Sequence, residues 1–105
     1  MSQAAKAQQL LSLHNNGKLL ILPNVWNPIG ARMLQAKGYS AVATASAAIA
    51  ESLGYSDGEQ LKLDTMLDMV TRIVRSVDLP VTADFEAGYS DSIEGLQENI
   101  SRLLD

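Results

Sequence analysis

The stretch VTADFEAGYSD at residues 81–91 carries two carboxylates, Asp84 and Glu86, two positions apart just after a β-branched run and followed by Gly88-Tyr89. Residues two apart on a strand share a face, so the pair is expected to point one way at the end of a β-branched run. A third acid, Asp57, sits in the turn-like Ser56-Asp57-Gly58-Glu59. Converging carboxylates suit a hard divalent cation, and Mg2+ in particular is held by one or two of them while keeping several waters. Plainer uses stand beside this one. Acids are common where a solvated strand end turns into a helix. Ser-x-x-Glu is also the pattern of a capping box, and Ser56–Glu59 reads equally as a turn.

Other chemistry-bearing residues gather nearby in the pattern. Ser46 lies in Ala45-Ser46-Ala47-Ala48, where small side chains let backbone N–H groups approach a ligand oxygen; tight packing of a strand-to-loop turn reads as well. Trp26 and Asn27 follow the first apolar run. Trp26 suits a pocket wall or a core position. His14, the single histidine, falls near a helix C-terminus, where it suits the last carbonyls better than catalysis. There is no G-x-G-x-x-G and no Walker A sequence. No Lys falls on an expected strand, which disfavours Schiff-base chemistry.

The elements that must position these residues alternate. Helices are expected over 3–15, 28–37, 63–77 and 92–104, and strands over 19–23, 40–45 and 80–85. Leu63, Met66, Leu67, Val70, Ile73, Val74 and Val77 follow i, i+3, i+4, i+7 spacing. Pro28 suits a first helical turn, Gly17 and Gly38 suit helix ends, and Asp91 or Ser92 can cap the last helix. The LLILP run at 19–23 reads as a strand buried on both faces. The connection 46–62 is expected to be a long loop with one helical turn near its start, and loops of that length are often functional.

Short apolar strands alternating with helices imply parallel β/α units. Two architectures compete: a doubly wound sheet, and part of a (β/α)8 barrel, whose full form takes around 250 residues. In both, ligands bind at the carboxyl ends of the strands. That is where Trp26 and Asn27, then Ser46 and Asp57, then Asp84 and Glu86 fall.

Composition limits the partners. A net charge of −4 with scattered Lys and Arg argues against nucleic acid. No apolar run approaches the roughly 18 residues of a membrane span. The absence of Cys removes thiolate chemistry and fits a reducing cytoplasm, the expected location. The Asn99-Ile100-Ser101 sequon is then a chance occurrence.

The runs LPNVWNPIGARMLQAKGYSAVATASAAIAESLGYSDGE and DLPVTADFEAGYSD resemble the isocitrate lyase / phosphoenolpyruvate mutase family from about Leu10 to the end. The strand-two Ser, the S-D-G loop and the D-x-[DE]-x-G-Y strand end occur in order. The resemblance implies a (β/α)8 barrel with Mg2+ at its carboxyl end, acting on small 2-oxo or 2-hydroxy carboxylates through enolate-like species. Residues 1–105 would be one partial barrel domain, an N-terminal helix plus three β/α units. Carried over by position, Asp84 would ligate Mg2+ directly, and Asp57 and Glu86 would hold metal-bound waters as members of the same catalytic set. Ser46, with the N–H groups of Ala47 and Ala48, would bind the substrate carboxylate, and Trp26 and Asn27 would lie at the pocket edge. Glu86 departs from the Asp of the mutases and best-known lyases, and Asn27 from the Asp of many relatives. The residues that separate lyase from mutase lie beyond Asp105. The chain is therefore expected to be a fragment of a longer polypeptide or one copy of a homo-oligomer, since a partial barrel leaves two open sheet edges.

Overall fold

Three short strands build a parallel sheet in the order β1 (Asn24–Val25), β2 (Val42–Thr44), β3 (Val81–Thr82) in a computed structural model that describes residues 1–105. Asn24 registers with Ala43 and Val25 with Thr44, while Val42 registers with Val81 and Ala43 with Thr82. Registered partners share a face, so Asn24, Ala43 and Thr82 form one row and Val25, Val42, Thr44 and Val81 lie on the other side. The second side is the buried one: Val25, Val42 and Thr44 are almost wholly enclosed, whereas Asn24 is exposed.

Five helices complete the chain: α1 (Gln3–His14), α2 (Pro28–Ala36), α3 (Ser46–Ser52), α4 (Leu63–Ser76) and α5 (Ile93–Leu104). Helix α2 begins where the sequence places it. Pro28 sits in the first turn, and the Oδ1 of Asn27 accepts the Gly30 amide at 2.8 Å as an N-cap. Helix α4 follows its apolar spacing, burying Met66, Val70 and Ile73. These side chains join Val25, Ala31, Val42, Ile49, Leu61 and Val77 in one cluster between helices and sheet. Full burial of side chains such as Ile49, Met66 and Ile73 stabilises the fold by about 1.5–3 kcal/mol each. No helix is long and apolar enough to cross a membrane.

The structure corrects several expectations. The 19–23 run is not a strand buried on both faces: Leu19 and Ile21 are exposed, and the ladder begins at the Pro23 carbonyl, which accepts the Ala43 amide. The reason is topological, since β1 is an edge strand and β2 gives the earlier residues no partner. The turn expected after β2 is a seven-residue helix, α3, with Ser46 as its first residue. Strand β3 stops at Thr82, so residues 83–86 are not extended sheet. Helix α5 is capped by Ser92, one of the two caps expected, and the residue it buries is Asn99. The sequon asparagine is thus engaged inside the protein.

Candidate functional site

The carboxyl ends of β2 and β3 meet at Asp84. The amide of Asp84 donates to Thr44 Oγ1 at 3.0 Å, which ties the chain leaving β3 to the last residue of β2. The Asp84 Oδ2 then accepts the hydroxyl of Ser46 at 2.6 Å and the Ser46 amide at 3.2 Å, and Oδ1 accepts the Glu86 amide at 3.1 Å. The Ser46 hydroxyl bond holds the carboxyl below its ordinary pKa. Partial burial opposes this, and the Glu86 and Ser46 amides add to the lowering. A carboxylate offers about four lone-pair positions. Three are occupied here, so the anion is fixed in orientation with acceptor capacity left on Oδ1.

Glu86 is next to Asp84 for a reason other than strand alternation. Its φ is 51°, a left-handed conformation, so the period-two argument for a shared face does not apply. The amide of Glu86 folds back onto Asp84, and its carboxylate reaches the long loop: Oε1 accepts the Gly58 amide at 3.2 Å, and Oε2 accepts the Tyr89 hydroxyl at 2.8 Å. Burial, and next the bond to Glu86, push the Tyr89 phenol pKa up, so it stays a proton donor. Glu59 and Tyr89 are also left-handed, at φ 65° and 60°. All three non-glycine residues with positive φ thus lie around this strand end, each disfavoured by on the order of 1–2 kcal/mol.

The site residues expected from the sequence separate into two groups. Ser46, Asp84 and Glu86 are joined by hydrogen bonds, and Ala47 and Ala48 follow Ser46 in the first turn of α3. Asp57 lies beside Gly58 in the turn that touches Glu86, but its own carboxylate makes no hydrogen bond. The three acids do not converge: no group of three or more His, Asp or Glu side chains is placed to hold a metal together. Glu86 points to the loop amide instead, because its backbone has left the strand. Trp26 is half exposed rather than core, and Asn27 caps α2; neither is hydrogen-bonded to Asp84. The Ser56–Glu59 segment forms the turn but not the capping box, since no helix starts there. His14 contacts the Leu10 carbonyl at 2.8 Å, in the helix-end role expected of it.

Sequence reasoning passed over Thr44, Asn99 and the use made of Glu59. The only signal for Thr44 was a polar residue at the buried end of an apolar strand. Two cavities of about 390 Å3 each are present: one lies among α1, α4, β3 and the end of α5, lined by Leu10, Val74, Val81 and Leu103 with Lys6 and Arg75, and the other is bordered by Glu59, Lys62, Tyr89 and Asp91, beside the strand end.

The donor set fits a magnesium ion on its own terms. Asp84 is anionic, oriented and short of one partner on Oδ1, and an ion that keeps most of its waters needs only one or two direct carboxylates.

Comparison with known proteins bears on the fold and the family. The family profile described as phosphoenolpyruvate phosphomutase matches residues 10–105. A candidate phosphonomutase from Burkholderia cenocepacia J2315 superposes with a TM-score of 0.90 and 40% identity, over 94% of this chain and 40% of that one. The isocitrate lyase of Haloferax volcanii is 26% identical over 80% of this chain and 25% of its own length. A phosphonopyruvate hydrolase solved with oxalate and Mg2+ shares the fold, with a TM-score of 0.87 at 21% identity, over 93% of this chain and 34% of that one. The chain spans at most two fifths of the length of these proteins. A profile that runs through every strand end described above, on a parallel sheet that superposes on one stretch of these barrels, places the chain in the phosphoenolpyruvate phosphomutase / isocitrate lyase family, as part of its (β/α)8 barrel.

Proposed function

We propose that this chain carries the Mg2+-binding strand ends of a carbon–carbon lyase, or a related enolate-forming enzyme, acting on a small 2-oxo or 2-hydroxy carboxylic acid. The observation that carries the reading is Asp84, an oriented carboxylate kept ionised by Ser46, with a lone pair still open at the carboxyl end of a parallel sheet. The oxalate and Mg2+ bound by a protein of the same fold support the ligand class, since oxalate mimics a pyruvate enolate. Asp84 would be the direct ligand, and Glu86 and Asp57 would hold metal-bound waters. Bound Mg2+ would supply Lewis-acid stabilisation of negative charge on the substrate's enolate oxygen.

The remaining work falls to the chain's own groups. Ser46 has one hydroxyl proton and gives it to Asp84. The substrate carboxylate is therefore left to the amides of Ala47 and Ala48, first-turn donors that a helix does not pair internally. Trp26 and Asn27 would border the pocket from the end of β1, and Tyr89 keeps Glu86 turned toward the 57–59 loop.

Phosphonate-forming mutase chemistry is the second enzymatic reading, favoured by the family profile and by the Burkholderia relative. Turnover of phosphonopyruvate against 2-hydroxy diacids separates it from the lyase. A third reading, a catalytically incomplete piece that binds metal and ligand or assembles with further chain, is supported by the open edges of the sheet. Calorimetric titration of oxalate with and without Mg2+ tests the site itself. Binding that requires Mg2+ and falls about a hundredfold in Asp84→Asn is expected, as removal of a charged ligand removes most of the metal affinity. Equal binding by wild type and Asp84→Asn would sink the assignment.

A further inference from the structure

Glu59 reaches the strand end from the long loop, although it is given no ligand role. Its Oε2 accepts the amides of Ala87 at 3.1 Å and Tyr89 at 3.0 Å. The exchange runs both ways, because Glu86 Oε1 accepts the Gly58 amide from the Glu59 turn. From the opposite direction, buried Asn99 on α5 donates its Nδ2 to the carbonyls of Gly88 at 2.8 Å and Tyr89 at 3.1 Å. The donors of residues 87 and 89 and the acceptors of residues 88 and 89 are therefore all engaged by side chains from other elements. The turn held by these bonds contains Glu86 and Tyr89, both left-handed, and such backbone persists only where the surroundings over-determine it.

We infer that Glu59 is a positioning residue: it locks the 86–89 turn in the conformation that directs the Glu86 amide to Asp84 and the Glu86 carboxylate to the long loop. The 53–62 segment is thereby a clasp on the metal-binding strand end rather than a free connection. The consequence for metal affinity rests on the function proposed above; the locking itself does not.

Amide hydrogen exchange followed by NMR reads the lock directly, and Mg2+–oxalate calorimetry reads its consequence. In Glu59→Ala, exchange at Ala87 and Tyr89 is expected to quicken about tenfold or more, since two bonds to a charged acceptor are lost, with core amides such as Ile73 unchanged. Mg2+–oxalate affinity is expected to fall about tenfold. Glu59→Gln keeps an oxygen in place and is expected to restore most of the protection and part of the affinity. Glu59→Asp, one methylene shorter, keeps the charge and is expected to behave like Glu59→Ala, which covers the case in which the alanine variant does not fold. Unchanged exchange at Ala87 and Tyr89 in a folded variant overturns the inference. So does quickened exchange with wild-type affinity, which would make the clasp merely structural. A wild-type chain that binds no oxalate overturns the metal reading instead, and the exchange rates alone then decide the role of Glu59.

Discussion

Around Ile49, Met66 and Ile73 the chain is held by apolar burial; around Asp84, Glu86 and Glu59 it is held by carboxylates accepting amide and hydroxyl protons. The first region is built from ordinary helices and strands with residues at helical spacing. The second holds every non-glycine residue with positive φ, and Gly88 beside them is at φ 88° with Leu96 packed against its backbone. The core thus depends on volume and is indifferent to pH. The strand end depends on charge and on bonds of specific direction, and it holds backbone that is unfavourable in isolation. Strain kept at a site by surrounding hydrogen bonds fits a site that must present its acceptors in one orientation.

Substitutions should separate the two regions. Ile73→Ala removes a fully buried side chain and should cost about 2–5 kcal/mol in urea unfolding, the largest stability effect expected here. It should leave the Asp84 titration where it is. A small loss of stability, or a moved Asp84 titration, would show that core and site are not independent. Asp84→Asn, which should remove Mg2+-dependent oxalate binding, should cost only about 1 kcal/mol of stability, because hydrogen bonds at a partly exposed site contribute little net. Ser46→Ala should have the smallest effect on folding and a clear one on protonation. Without the hydroxyl, the Asp84 pKa should rise toward the ordinary carboxylate range in a 13C titration. The sign carries into stability. A depressed folded pKa stabilises the protein above the unfolded carboxylate pKa, and that gain is lost as pH falls through the folded value. Ser46→Ala should therefore narrow the gap between the neutral and acid unfolding midpoints. An unmoved Asp84 titration would contradict the role given to Ser46.

Much of the core was legible because burial follows periodicity. The Met66, Val70, Ile73 face of α4 and the Pro28 start of α2 came straight from spacing and cap chemistry. The strand at 19–23 was misplaced because an apolar run carries no information about whether a partner strand lies beside it. At the site, residue types and order marked Ser46, Asp84 and Glu86, and the geometry that joins them was not readable. A left-handed Glu86 breaks the alternation from which a shared face was argued. Glu59 was visible only as a local cap, because its partners Ala87 and Tyr89 lie about thirty residues away and are reached through the fold.

Mn2+ reports whether a divalent cation binds at Asp84, since carboxylate sites that suit Mg2+ also suit Mn2+. Trace Mn2+ added to the 15N-labelled chain broadens the amide signals nearest to it. Ser46, Glu86 and Gly58 are expected to broaden first, excess Mg2+ to restore them, and Asp84→Asn to abolish the effect. Broadening that instead centres on the exposed acids of α4, Asp64 and Asp68, and persists in Asp84→Asn would contradict a cation site at Asp84.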